Sequence, residues 1–326
     1  MKVCIYGVGA IGGWIGVKLA QAGCDVSVVA RGETLAVLQQ HGLRLVEGGE
    51  THTVSVRPSE RPEDLGPQDL VVIAVKAPAM ASVAARIAPL INANTIVLTA
   101  MNGVPWWFCD GLGRDFSGKR LVSIDPEGMI AAAIPVKQTI GCVVHASCRL
   151  DAPGVVRHHQ GKGLIVGEAI GKPSERVRQL VALLGKAGFD ASMSDQIQRD
   201  VWYKLWGNMT MNPISAMTGA TTDKILSDEL VLDFVTRIML EAKEIGARFG
   251  IPIDQEPADR HAVTLRLGAM KTSMLQDVES GKAVELDALV TSVRELGQLT
   301  GVLTPFTNTL LGLARLHAST LGLYPN

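Results

Sequence analysis

The first sixteen residues, Met1-Lys-Val-Cys-Ile-Tyr-Gly-Val-Gly-Ala-Ile-Gly-Gly-Trp-Ile-Gly16, constrain the fold more than any other stretch of the chain. Val3 to Tyr6 is a short apolar run, Gly7, Gly9 and Gly12 form G-x-G-x-x-G, and Ile11 to Ala22 carries helix-compatible spacing. In the order strand, tight turn, helix, each glycine has its own reason to be there. The first permits the turn, the second lets a pyrophosphate approach the backbone, and the third lets helix and strand pack closely. Phosphates at such a turn sit at the positive end of the helix dipole. The stretch therefore predicts a dinucleotide site, the alternative being a glycine-rich structural turn.

At 326 residues the chain is long for one core, so two domains are expected. Hydrophobic residues make up 47% and charged ones 19%, a globular composition with ample apolar surface to bury. A net charge of −1 without a long basic run argues against nucleic acid or an anionic membrane as partner. Cys4, Cys24, Cys109, Cys142 and Cys148 contain no C-x-x-C and read as small buried hydrophobes in a reducing compartment. The apolar run at Val3 begins at once, which leaves no room for a signal peptide, and no run of about 18 apolar residues exists, so the expected location is cytoplasmic.

Asp25 to Ala30 is a second strand, whose end in a Rossmann unit meets the adenosine ribose. Arg31 stands there, nineteen residues past Gly12, where an acidic residue would select NAD. A guanidinium suits a 2′-phosphate, so NADP(H) is expected. Leu43 to Val46 and Thr51 to Val56 flank a Gly-Gly turn and look like a hairpin inserted on the surface. Leu70 to Val75 is apolar on both faces, as a central parallel strand is, and Lys76 follows at its carboxyl end, where open α/β sheets bind ligands. Thr95 to Ala100 repeats the pattern and ends in Asn102-Gly103. The Asn102 amide could reach the nicotinamide ribose, a substrate carboxylate or both, or form an ordinary Asn-Gly turn. Trp106, Trp107 and Phe108 are too apolar for water and suit either a cofactor cover or a subunit contact. Ile140 to Ala146, Gly154 to His158 and Gly163 to Gly167 read as short strands of a meander; His145, His158 and His159 among them lack ligand spacing or an acidic neighbour and read as structural, with no metal expected.

From Asp195 onward helical patterns dominate. Asp228 to Phe249 has apolar residues at helical spacing and is stopped by Gly250 and Pro252; Val284 to Leu299 repeats this, and Thr304-Pro305 opens a last helix. In Trp202-Tyr-Lys-Leu-Trp-Gly-Asn-Met-Thr-Met-Asn-Pro213, Lys204, Asn208 and Asn212 fall at i, i+4 and i+8, one polar line drifting only about 80° around a helix. Flanked by Trp202, Leu205, Trp206, Met209 and Met211, that line faces a cleft or, alternatively, solvent on a half-buried helix. Ser273 and Glu285 are polar groups inside two further apolar helical segments.

These features in order, the glycine loop, Arg31, Lys76, Asn102, K-x-x-x-N-x-x-x-N-P at Lys204, and S-M-L-Q-D with Glu285 twelve residues past Ser273, resemble the ketopantoate reductase (2-dehydropantoate 2-reductase) family, within the 6-phosphogluconate and hydroxyacid dehydrogenase group. The resemblance covers essentially the whole chain. It implies an α/β Rossmann-like N-terminal domain over 1–194 and an all-α C-terminal domain over 195–326, with the active site in the cleft between them. It implies NADPH-dependent reduction of 2-dehydropantoate to (R)-pantoate, with Lys204 as general acid and Glu285 beside it and the nicotinamide. Asn208 and Asn212 would hold the hydroxyl and carbonyl side of the substrate, and Ser273 and Asn102 its carboxylate. The cofactor would meet Gly7, Val8, Gly9, Ala10, Ile11, Gly12, Arg31, Lys76, Asn102, Ala146 and Glu285. A small 2-oxo acid is the expected partner, with a homodimer plausible. Two departures touch substrate shape: Thr222 stands where the pantoate-forming enzyme can carry another asparagine, and Gly103-Val-Pro-Trp-Trp107 is bulkier than that enzyme's small continuation. They leave open the same chemistry on another branched or aromatic 2-oxo acid, and, in a different class, a non-catalytic NADP(H)-sensing protein of the same fold.

Overall fold

The structure is a computed structural model that describes residues 1–113, 115–266 and 268–325. The chain divides into two compact units, Met1–Met101 with Gly128–Asp200, and Asn102–Glu127 with Val201–Asn326. Residues 102–127, which a boundary near 195 would assign to the first unit, belong with the helices of the second.

The first unit contains β1 (Lys2–Tyr6), α1 (Ala10–Gln21), β2 (Asp25–Val29), α2 (Gly32–His41), β3 (Leu43–Glu47), β4 (Glu50–Val54), β5 (Arg57–Ser59), β6 (Leu70–Ile73), α3 (Met80–Ala84), β7 (Ile96–Thr99), α4 (Met129–Ala133), β8 (Thr139–Ala152), β9 (Val155–Glu168), α5 (Glu175–Lys186) and β10 (Asp190–Met193). Its strands form one sheet in the order β4-β3-β9-β8-β7-β6-β1-β2-β5, with β10 alongside β9. β7, β6, β1, β2 and β5 run parallel to one another, and every residue of β6 is buried, so these strands carry near-continuous apolar sequence. Glycines let α1 lie close on the sheet: a Cβ at Gly13 would come within 2.6 Å of the Val156 side chain.

Two expectations are corrected. The Leu43 to Val46 hairpin is not a surface insertion, because β3 pairs with β9 in the main sheet and Leu43 and Leu45 are fully buried. The three short strands of the meander are a single hairpin of two fourteen-residue strands, β8 and β9. The glycines that suggested breaks are absorbed by irregular register between His145 and Cys148, and Gly161 takes a φ of +78° within the strand. Inside this unit His158 stacks on Trp14 of α1 at 5.3 Å, and its Nδ1 lies 3.1 Å from Glu47 Oε1. The acidic neighbour missing from the local sequence is thus supplied by β3, and the cluster is structural.

The second unit is helical: α6 (Ile197–Thr218), which enters it at Val201, then α7 (Thr222–Ser227), α8 (Glu229–Arg248), α9 (Pro257–Leu265), α10 (Ser273–Glu279), a π-helical turn (Asp287–Thr291), α11 (Ser292–Thr300) and α12 (Pro305–Thr320). Helix starts are capped by the side chains that the sequence offers: Asp228 accepts from the Leu230 and Val231 amides, and Thr272 accepts from Leu275. Trp107 and Phe108 are almost fully buried in this unit, Phe108 packing on Trp202 and Phe249 at ring separations of 5.9 and 6.5 Å. They are core residues, not a cover or a subunit contact. The far end of the same segment is tied to α11, where the Glu295 carboxylate accepts from the Val122 and Ser123 amides and the Ser123 hydroxyl. No helix among the described residues is long and apolar enough to cross a membrane.

Candidate active site

In the first unit the glycine loop separates packing from ligand space. Gly7 has a φ of +97°, and a Cβ there would meet Val75 Cγ1 at 2.5 Å. A Cβ at Gly12 would fall 2.0 Å from the Gly7 carbonyl oxygen. Both glycines are therefore required by the fold itself. Gly9 differs, since a Cβ built on it meets nothing within 4 Å. Its lack of a side chain leaves open space over the turn, at the N-cap of α1, where no side chain caps the first-turn N–H groups. Val8, Ala10, Ile11 and Gly12 follow the chain through that turn, and their backbone amides and the positive end of α1 suit a pyrophosphate. This arrangement fits a dinucleotide.

Arg31 is exposed at the N-cap of α2, directly beyond β2, and its guanidinium has no carboxylate partner among the described residues. Lys76 follows β6 as the half-buried N-cap of a 3₁₀ turn over Ala77–Ala79. Ala146 lies on β8 at the irregular register and packs partly against the core of this unit.

In the second unit α6 presents Lys204, Asn208 and Asn212 along one line, as the spacing predicts. Lys204 Nζ donates to Asn102 Oδ1 at 2.8 Å, which joins two residues 102 positions apart. With its oxygen engaged, the Asn102 amide keeps its N–H donors for another group. The side chains of Asn208, half-buried, and Asn212, buried, make no hydrogen bond to any described residue. Amides left without protein partners beside an ammonium group form a surface that can receive the carbonyl and hydroxyl oxygens of a small polar ligand.

The loop that carries Asn102 is held in place by the π-helical turn. Gly103 adopts a φ of +80°, and a Cβ on it would lie 2.5 Å from the Ala288 carbonyl oxygen and 2.6 Å from the Ala288 Cβ. The same carbonyl accepts from the Val104 amide at 2.8 Å and from the Ser292 hydroxyl at 2.9 Å. Asn102 and Lys204 thus meet because the residue after Asn102 is small enough to touch a helix turn some 185 positions away. Sequence gives no sign of that turn: Val284 to Leu299 reads as one regular helix, and nothing in its periodicity announces a π turn, a feature that often marks functional sites.

Glu285 is only 7% exposed and stands at the start of this helical segment, its carbonyl accepting from Leu289. Ser273 opens α10 with its side chain exposed and unbonded, because Thr272 provides the cap. Thr222, where the sequence departs from the family pattern, is buried and its hydroxyl donates to the Gly268 carbonyl at 2.9 Å. That hydroxyl is committed to holding the chain.

The family model described as "Ketopantoate reductase PanE/ApbA" matches residues 3–171, and its C-terminal counterpart matches residues 196–318. A 2-dehydropantoate 2-reductase from Mesorhizobium japonicum is 44% identical over 327 residues, covering 99% of this chain and all of that protein. A solved structure from Ralstonia solanacearum MolK2, provisionally assigned as a ketopantoate reductase, is 56% identical with a TM-score of 0.95, covering 99% of both chains. A D-mandelate dehydrogenase solved with NADH and anilino(oxo)acetate shares the fold, at 22% identity and a TM-score of 0.85, covering 99% of this chain and all of that one. With both halves matched and a relative similar along its whole length, the chain belongs to the ketopantoate reductase family, oxidoreductases whose Rossmann-like unit implies a nicotinamide cofactor.

Proposed function

We propose that the protein reduces 2-dehydropantoate to pantoate with NADPH. The cofactor, when bound, supplies the hydride. The glycine turn and the N-terminus of α1 would hold its pyrophosphate, Arg31 its 2′-phosphate, and Lys76 and Ala146 would contribute further contacts. Hydride attack on a 2-oxo carbon builds negative charge on the oxygen. Lys204 stabilises that charge with its ammonium and then donates a proton from Nζ, a role worth about 10²–10⁴-fold in rate for a positioned acid. Asn102, whose Oδ1 accepts from Nζ, orients the ammonium and turns its own N–H donors towards the substrate. Asn208 and Asn212 supply hydrogen bonds to substrate oxygens, Ser273 one to the carboxylate, and Glu285 favours the charged form of Lys204. The observation that carries this reading is the 2.8 Å bond between Lys204 and Asn102, by which a residue of a distant loop fixes the ammonium.

Lys204→Ala tests it. The variant is expected to lose about 10²–10⁴-fold in kcat with NADPH affinity little changed. An unchanged kcat removes Lys204 from the mechanism.

A second reading keeps the chemistry and changes the substrate to another branched or aromatic 2-oxo acid. It is favoured by Thr222, which is buried and donates its one O–H to the Gly268 carbonyl, so it has no donor left for a substrate oxygen. Following nicotinamide absorbance with NADPH and a panel of 2-oxo acids decides between the two, and turnover of any member excludes a non-catalytic NADP(H) sensor.

A further inference from the structure

The π-helical turn that meets Gly103 is held from outside itself. Such turns are rare and occur mostly singly, within α-helices. Here the Ser292 amide donates to the Asp287 carbonyl, five residues back. Asp287, the first residue of the turn, is half-buried, and one oxygen of its side chain accepts two hydroxyl bonds. Thr291 donates to Oδ1 at 2.9 Å from within the turn, and Tyr324 donates to it at 2.6 Å from 37 positions away. A hydroxyl bonded to a carboxylate is among the stronger kinds of hydrogen bond. Burial first, and then the bond and charge of Asp287, push the Tyr324 hydroxyl up to about 12, so it remains a donor across the neutral range.

The segment that delivers Tyr324 is itself pinned. Beyond α12 the Gly322 amide donates to the Ser319 carbonyl at 2.9 Å and the Leu323 amide to the Ala318 carbonyl at 2.8 Å, with Gly322 at a φ of +69°. This is a Schellman turn, and it fixes the direction in which the chain leaves the helix. The Leu323 carbonyl then accepts from the Val284 amide at 3.1 Å. Leu323 and Tyr324 thus tie down residues 284 and 287, one on either side of Glu285. Ala288 follows at once, and its carbonyl accepts from the Val104 amide and lies against Gly103. Asn102, next to Gly103, accepts from Lys204. All these residues lie in the second unit. Thr291 belongs to the turn, so its bond cannot fix the place of the turn in that unit; Tyr324 arrives from another segment, so its bond can.

We propose that Tyr324 is a positioning residue for the reduction: by donating to Asp287 it holds the π turn against the Asn102 loop, and so sets how Asn102 meets Lys204. It acts through Asp287 and Ala288 and not on the reacting atoms. The effect on rate rests on the reductase reading above, whereas the link from Tyr324 to the loop is a property of the second unit alone.

Tyr324→Phe removes one oxygen and keeps the ring, and two readouts separate positioning from general stability. In hydrogen exchange at residue resolution, the Val104 amide should exchange about tenfold faster than in wild type when measured against amides of α8, which report the stability of the unit as a whole. With NADPH and a 2-oxo acid, kcat should fall about tenfold. Asp287→Ala should have both effects, and adding Tyr324→Phe to it should deepen neither, because the two act through one bond. Asp287→Asn, which keeps an acceptor oxygen for Tyr324, should recover most of both. Val104 exchange unchanged relative to α8, a kcat equal to wild type, or a double variant whose losses add, overturns the proposal. A wild-type protein that reduces no 2-oxo acid, while Val104 exchange still depends on Tyr324, would instead overturn the reductase reading and leave the link to the Asn102 loop standing.

Discussion

Gly103→Ala is the substitution for which the structure gives a definite size of effect. The added methyl would lie 2.5 Å from the Ala288 carbonyl oxygen and 2.6 Å from the Ala288 Cβ, where ordinary contact begins at 3.4 Å. Loop and turn must therefore part by about 0.9 Å, the difference between 3.4 and 2.5 Å. Alanine at a φ of +80° adds about 1–2 kcal/mol of backbone strain, and the Val104 amide, now 2.8 Å from the same oxygen, stands to lose a bond worth about 0.5–1.5 kcal/mol. Together these destabilise the unit by about 1.5–3.5 kcal/mol, a loss of several degrees in Tm. The larger effect falls on rate. Asn102 is the neighbouring residue and holds Lys204 at 2.8 Å, and a misplacement of about 1 Å at an active site costs on the order of 10²-fold. Steady-state kcat at saturating NADPH and 2-oxo acid, with a melting curve for each protein, measures both. Gly113→Ala, in open space on the same segment, is the control that should change neither. If Gly103→Ala keeps wild-type kcat, the contact with Ala288 does not position Asn102 and the reasoning fails.

Three further outcomes follow from the same structure. Gly9→Ala should keep its Tm, since the new methyl meets nothing within 4 Å, and should bind NADPH at least about tenfold more weakly, whereas Gly12→Ala, with a Cβ 2.0 Å from the Gly7 oxygen, should fail to fold; equal melting of the two variants would contradict the division of the loop into packing and ligand glycines. Arg31→Asp should shift cofactor preference from NADPH towards NADH in paired kinetic assays, and an unchanged ratio would dismiss the 2′-phosphate contact. Burial pushes the Glu47 carboxyl up, but the hydrogen bond and charge of Lys18 and the charges of His158 and Lys162 outweigh it and hold Glu47 below its ordinary 4.5. A depressed carboxyl stabilises the fold above its unfolded value and ceases to do so as pH falls through the lower folded value. Melting temperature should therefore drop more steeply below about pH 4.5 in wild type than in Glu47→Gln, and parallel curves would refute the linkage.

Much of the local geometry of the candidate site was legible from residues alone because its signals are local. The glycine loop sits between a strand and a helix that its own neighbours specify, and Lys204, Asn208 and Asn212 share a face because about 3.6 residues make a turn. Arg31 and Lys76 could be placed because strand ends are readable from short apolar runs. Those positions needed no knowledge of what packs against them. Thr272 as the cap that leaves the Ser273 side chain unbonded was also within reach of capping rules.

What only the tertiary structure decided are the partners. That residues 102–127 belong with the helices, that β8 and β9 are one long hairpin, that Trp107 and Phe108 are core, and that Glu47 serves His158 all depend on contacts between residues far apart in the chain. So do the contacts of Gly103 with Ala288 and of Gly207 with Arg260. Hydrophobic period reports which face of a segment is buried but not what buries it, because the apolar driving force is non-directional. The sequence alone thus determined the kind of site and the identity of its local groups; packing between distant segments decided which of those groups touch, and with what precision.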